Sequence, residues 1–115
     1  MGFTKVTVLL RGPKGSERVE LLADTGALLT SVPREILERV GIVPFGKRKL
    51  KTYGGTVERE VGAAEIEYEG VRIGTTVIFG EKGDEPILGV TALEALGYEV
   101  DPVTKKLKPT ELLMV

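Results

Sequence analysis

Apolar and polar positions alternate from Phe3 to Leu10, with Val6 and Val8 in phase, and a period of two predicts a strand. The Gly- and Pro-rich stretch Arg11-Gly12-Pro13-Lys14-Gly15-Ser16 predicts a turn, and Glu17 to Ala23 a second strand, so the chain opens with a hairpin. After Asp24-Thr25-Gly26-Ala27 comes an apolar segment, Leu28 to Val32. Pro33 then opens a short helix with Ile36, Leu37 and Val40 on one face and Gly41 as its C-terminal cap. Strand patterns resume at Lys47. Lys49 to Tyr53 and Thr56 to Val61 flank Gly54-Gly55, which reads as a hairpin tip. Its arms are polar, with Lys47, Arg48, Lys49 and Lys51 on one side and Glu58, Arg59 and Glu60 on the other, so it buries little and projects.

Glu58 and Glu60 then give way to Glu65, Glu67 and Glu69, a change of parity that one strand cannot keep on one solvent face. A bulge or bend is expected at Gly62-Ala63-Ala64. Glu69-Gly70 predicts a tight turn into the strand Val71 to Phe79, followed by a loop over Gly80 to Pro86 and the apolar Ile87-Leu88-Gly89. Thr91-Ala92-Leu93-Glu94 has the form of a capping box opening a second short helix that Gly97 ends. Tyr98 to Val100 and Lys106 to Leu107 form a last hairpin across Asp101-Pro102, before the apolar tail Leu112 to Val115. Leu37-Glu38-Arg39-Val40-Gly41 and Leu93-Glu94-Ala95-Leu96-Gly97 repeat one form, Leu-Glu-x-apolar-Gly, and suggest two related halves.

Composition narrows the chemistry. At 115 residues the chain is one domain, residues 1–115. A net charge of −1 asks for neither nucleic acid nor an anionic membrane as partner. There is no Cys and no His, which removes thiolate nucleophiles, His bases and the usual zinc ligands. Catalysis would fall to carboxylates, Lys, Tyr, Ser or Thr, and only Asp24, Asp84 and Asp101 are aspartates. Absence of Asn, Gln and Cys beside many Glu, Lys and Arg fits a heat-adapted source. No membrane span or signal-peptide core is visible, and the expected location is the cytoplasm. No metal or cofactor is called for: Glu65, Glu67 and Glu69 read as a solvated strand face. Lys14-Gly15-Ser16 lacks the first Gly and the helix of a phosphate loop.

The sharp feature is Leu21-Leu22-Ala23-Asp24-Thr25-Gly26-Ala27, in which an apolar strand delivers a carboxylate into a turn of small residues. Burying such a group is costly unless it is hydrogen-bonded or functional. Here the sequence resembles the retropepsin-like aspartic peptidases, and its helix over Pro33 to Val40 looks more like the cellular prokaryotic members than the compact viral form. Asp24-Thr25-Gly26-Ala27 looks like the family's catalytic signature, with Thr30 where the retroviral form often has Thr. Gly54-Gly55 looks like the flap tip, and Ile87-Leu88-Gly89 before a helix looks like the apolar-apolar-Gly motif beneath the active-site loop. The resemblance spans about Glu17 to Gly97.

It implies an all-β fold: a closed, barrel-like β sandwich with a flap hairpin and two short helices. It implies a homodimeric aspartic endopeptidase acting on an extended peptide or unfolded protein. Asp24 comes from each chain, because neither Asp84 nor Asp101 has the Thr-Gly context. Two such carboxylates share one proton and activate a water, with activity at acid to neutral pH. Thr25 would bond across the dimer, and Gly26 would offer its carbonyl to substrate. Ala27, Leu28, Tyr53, Gly54, Gly55 and Thr56 would line the groove, with Lys51 to Val57 as the closing flap. The tail Leu112 to Val115 would pair with its counterpart in the dimer, or else cover its own core. Two positions depart from the retroviral pattern: Leu28 and Val90 stand where an acidic residue and an Arg are common, so an ionic contact is replaced by an apolar one. The alternative reading is a non-catalytic peptide-binding or dimerisation module on the same fold.

Overall fold

The computed structural model describes residues 4–112 and Met114, so the expected roles of Phe3 in the first strand and of Leu113 and Val115 in the tail lie outside the described residues. β1 (Thr4–Gly12) and β2 (Gly15–Asp24) form the opening hairpin, closed at Gly12–Gly15. In β1 the even positions Val6, Val8 and Leu10 are buried, and Val19 and Leu21 answer them from β2. The apolar segment that follows becomes β3 (Thr30–Pro33) and leads into α1 (Arg34–Arg39). Pro33 is the last residue of the strand and the N-cap, not the first helical residue, because its ψ of 135° is still extended.

β4 (Gly46–Thr52) and β5 (Gly55–Tyr68) make the polar hairpin. Its two-residue tip is Tyr53-Gly54, one position earlier than Gly54-Gly55, with Thr52 and Gly55 as the closing pair. Thr52 sets that register: its hydroxyl donates to the Gly55 carbonyl at 2.8 Å and accepts from the Gly54 N–H at 3.2 Å. β5 then runs on without a bulge. Its pairing with β6 (Val71–Gly80) keeps one register from Val61–Ile78 to Tyr68–Val71. The change of parity arises instead because β5 leaves β4 at Val61 and takes β6 and β1 as neighbours. Gly62 serves close packing there: a Cβ on it would meet Ile42, Phe79 and the Val43 carbonyl at 3.0–3.1 Å.

β7 (Ile87–Gly89) and α2 (Val90–Leu96) complete the body, and β8 (Tyr98–Val100) and β9 (Leu107–Pro109) form a separate two-stranded sheet. The main sheet runs β1-β2-β7-β3-β6-β5-β4, and an additional β1–β5 pairing closes six of these strands into a barrel that leaves β4 outside. The expected all-β closed barrel with two short helices is thus the fold observed. Inside it, Phe79, Leu88, Val32 and Ile66 meet Leu37 of α1 and Ala92, Leu93 and Leu96 of α2. The repeated Leu-Glu-x-apolar-Gly segments are the two helices, each following a short strand and each ended by a glycine at positive φ, +87° at Gly41 and +84° at Gly97. Among the described residues no helix is long and apolar enough to cross a membrane.

Candidate active site

β7 lies between β2 and β3. It runs parallel to β2, with Ala23 beside Leu88 and Asp24 beside Gly89, and antiparallel to β3 through Ser31 and Ile87. The segment from Asp24 to Leu29 must therefore cross over the end of β7 to reach β3. Gly89 is what lets it pass: a Cβ there would stand 2.5 Å from the carbonyl carbon and oxygen of Leu29 and 2.8 Å from the Leu28 oxygen. Thr30, fully buried, accepts the Gly89 N–H on its hydroxyl at 3.0 Å and fixes the far end of the crossing.

The start of α2 holds the middle of the loop. Val90 N–H donates to the Ala27 carbonyl at 2.8 Å and Thr91 N–H to the Leu28 carbonyl at 3.2 Å. Thr91 is not the helix cap its spacing with Glu94 suggests. Gly89 is the N-cap, and the Thr91 hydroxyl donates to the Leu28 carbonyl at 2.8 Å. Two loop carbonyls do the capping, so the helix start and the loop satisfy each other. Leu28 and Val90, the two departures from the retroviral pattern, sit on these joined segments; Leu28 is exposed and Val90 half-buried.

At the head of the loop Asp24 is half-buried, and Thr25 and Gly26 are exposed. Oδ1 of Asp24 accepts the Gly26 N–H at 2.8 Å, and its backbone carbonyl accepts the Ala27 N–H at 3.2 Å. This tight turn leaves Oδ2 without a hydrogen-bond partner among the described residues. Asp84 has both oxygens engaged, whereas Asp101, like Asp24, accepts on Oδ1 alone. Asp84 receives Arg59 at 2.7 and 3.0 Å and the Glu81 N–H at 2.8 Å, and the Arg59 guanidinium holds its carboxyl below the ordinary range. Asp101 accepts the Val103 and Thr104 N–H groups, which lower it likewise. Thr25 also borders a groove of about 510 Å³ lined by Val90, Leu93, Tyr98 and Leu112 and by the acidic residues Glu94, Glu99 and Glu111.

The sequence-derived residues thus fall into two groups. Asp24, Thr25, Gly26, Ala27 and Leu28 share one loop; Tyr53, Gly54, Gly55 and Thr56 share the exposed tip of the β4–β5 hairpin. Among the described residues no hydrogen bond joins the two groups. What the sequence reading missed is an ionic bridge at the hairpin's base. Arg59 of β5 reaches Asp84 in the loop before β7. Arg34 of α1 bonds both Glu60 of β5, at 2.6 Å, and Glu81 of that loop, at 2.8 Å, while lying 5.0 Å from the centre of the Phe79 ring. No periodicity links positions so far apart; only the topology of β6 and β5 brings them together. Among the described residues no group of three or more acidic side chains is placed to hold a metal ion.

No protein-family model matches the chain, and no curated protein matches it in sequence. Solved structures do match. EIAV protease in complex with the inhibitor HBY-793 is 22% identical and superposes with a TM-score of 0.73, over 87% of this chain and 93% of that one. The solution structure of simian foamy virus (mac) protease is 20% identical with a TM-score of 0.57, over 78% and 91%. A foamy viral protease-reverse transcriptase in complex with an RNA/DNA hybrid is 20% identical with a TM-score of 0.58, over 96% of this chain and 13% of that one. The chain has the retropepsin-like fold.

Proposed function

We propose that the protein is a homodimeric aspartic endopeptidase with one Asp24 from each chain. The observation that carries this reading is the state of the three aspartates. Asp84 has both oxygens held by Arg59, and Asp101 sits in the turn between β8 and β9 with Oδ1 accepting from that turn, while Asp24 presents its free Oδ2 at the end of the core strand β2, beside small, exposed Thr25 and Gly26. A single carboxylate is half of the machinery, so the second comes from a partner across a two-fold axis. In the pair, one carboxylate takes a proton from water as it attacks the peptide carbonyl. The other, protonated, donates to the carbonyl oxygen. The tetrahedral intermediate collapses when a proton passes to the leaving nitrogen.

Thr25 would bond the partner loop, and the Gly26 carbonyl would accept from the extended substrate. Ala27 and Leu28 would floor the groove, and Tyr53, Gly54, Gly55 and Thr56 would close over it. The groove beside Thr25, with exposed Leu112, would lie on the dimer face.

The test is cleavage of denatured casein by wild type and Asp24→Asn from about pH 4 to 7, the span in which paired carboxylates titrate, at ambient and raised temperature. Molecular mass in solution is measured alongside. Cleavage by a dimeric wild type that is lost in Asp24→Asn supports the reading. Cleavage that survives the substitution, or a monomeric active species, overturns it. A stable dimer that cleaves nothing but binds extended peptides would favour the non-catalytic module.

A further inference from the structure

The β4–β5 hairpin has two faces, and its register assigns every side chain to one of them. Lys47 opposite Glu60, Lys49 opposite Glu58 and Lys51 opposite Thr56 share one face. Arg48 opposite Arg59 and Leu50 opposite Val57 share the other. Leu50, Val57 and Arg59 are half-buried, whereas Lys47, Lys49 and Lys51 are exposed. Both faces meet the body at the hairpin's base, through Glu60 to Arg34 and Arg59 to Asp84, but nearer the tip only the second face is covered, at Leu50 and Val57, while Arg48 beside them is exposed.

Two guanidinium groups directly opposite each other on one face repel. Arg59 is neutralised by Asp84. Arg48 makes no ion pair among the described residues. One positive charge is left uncancelled on the face of the hairpin that carries the apolar pair Leu50 and Val57. Arg48 is exposed, and its guanidinium is open to a carboxylate that can take two of its N–H groups at once.

We propose that Arg48 is a specificity-determining residue that reads an aspartate or glutamate side chain of the bound peptide. The inference rests on the reading of the hairpin as a flap over an extended substrate. Arg48 lies two residues from Leu50 on the same face, about 7 Å along the strand. The acidic side chain it meets is therefore distal to those under Leu50 and Val57, away from the scissile bond. Nucleic acid suits the hairpin less well. Its lysines are interleaved across the ladder with Glu58 and Glu60, and the chain's net charge is −1, so phosphates meet no continuous positive stripe.

The test uses mixtures of fluorescent decapeptides with one position fixed in turn as Glu, Gln or Lys. Binding is read by anisotropy on Asp24→Asn, and cleavage by kcat/KM on the otherwise wild-type chain. At one distal position Glu should be preferred over Gln by about threefold to tenfold, the size of a partly exposed charge pair. Arg48→Glu should abolish or invert that preference toward Lys. Lys49→Glu, the same charge change on the other face, should leave it. The proposal falls if no position prefers Glu, if Lys49→Glu erases the preference as fully as Arg48→Glu, or if single-stranded DNA binds tighter than the Glu peptides and displaces them. Acid-selective binding without cleavage would uphold Arg48 while removing the peptidase reading. Cleavage without acid selectivity would do the reverse.

Discussion

The loop that carries Asp24 rests on Gly89, where a Cβ would sit 2.5 Å from the Leu29 backbone, whereas the tip of the β4–β5 hairpin is bonded only within its own turn and Tyr53 stands fully in solvent. The floor is fixed by sterics, by the buried bond that Thr30 accepts from Gly89, and by the exposed bond that Thr91 donates to Leu28. The hairpin is fixed at its base by charge, through Arg59–Asp84 and Arg34 with Glu60 and Glu81. A close-packed site tolerates almost no added volume, while a hairpin tied by half-exposed ion pairs can move at small cost. One region is held by close packing and the other by charge.

The sharpest way to separate the two is to remove chemistry from the floor without removing volume. Asp24→Asn should lower peptide cleavage by about a hundredfold to ten-thousandfold while leaving the melting temperature nearly unchanged, since Oδ1 can still accept from Gly26. Kinetics and calorimetry on one preparation check both halves. Adding volume should do the opposite: Gly89→Ala forces the Leu28–Leu29 backbone to shift and should cost about 1–3 kcal/mol, read as a drop in Tm. Thr30→Val keeps the shape but strands a buried N–H, at about 1–3 kcal/mol; Thr30→Ser should recover most of it. An equal loss in Thr30→Ser would show that the methyl group, not the hydroxyl, matters.

The hairpin should respond to pH and salt more than to packing. The carboxyls of Asp84 and Glu81 are lowered by Arg59 and Arg34 respectively. Their contribution to stability is present above the ordinary carboxylate value near pH 4 and is lost as the pH falls through their depressed values. Thermal melts of wild type should therefore weaken progressively below about pH 4. Asp84→Asn should lower Tm at neutral pH and make that acid limb shallower; a limb of unchanged slope would place the acid sensitivity elsewhere. The smallest effect on stability belongs to Tyr53→Ala, within about 0.5 kcal/mol because nothing packs on it. A change in KM there would reveal contact made only when the hairpin closes.

These contrasts explain how much could be read from the chain. Strands with a buried face, such as Val6-x-Val8-x-Leu10, announce themselves by period, whereas the Asp24 loop was legible through its resemblance to a family signature in company with Gly54-Gly55 and Ile87-Leu88-Gly89. Gly89 and Thr30 were legible as a pattern, though the reason for them, the crossing over β7, is a fact of topology. Thr91 misled because a capping box and a hydroxyl bonding a neighbouring loop have the same spelling. Gly62 misled because a small residue chosen for close packing looks like one chosen for a bulge. The Arg34 and Arg59 bridges join segments 25 to 47 residues apart with no local signature at all.

The insertion of β7 between β2 and β3 also governs when the site comes into being. Thr30 finds its partner at Gly89, 59 residues later in the chain, and until β7 and α2 dock the Asp24 loop has neither its seat nor its helix contacts. Contacts of such long range form late and slowly, since the intervening chain must be ordered first. A nascent or partly unfolded chain therefore displays Asp24 without the loop geometry of the folded state, which the loop takes only as the barrel closes.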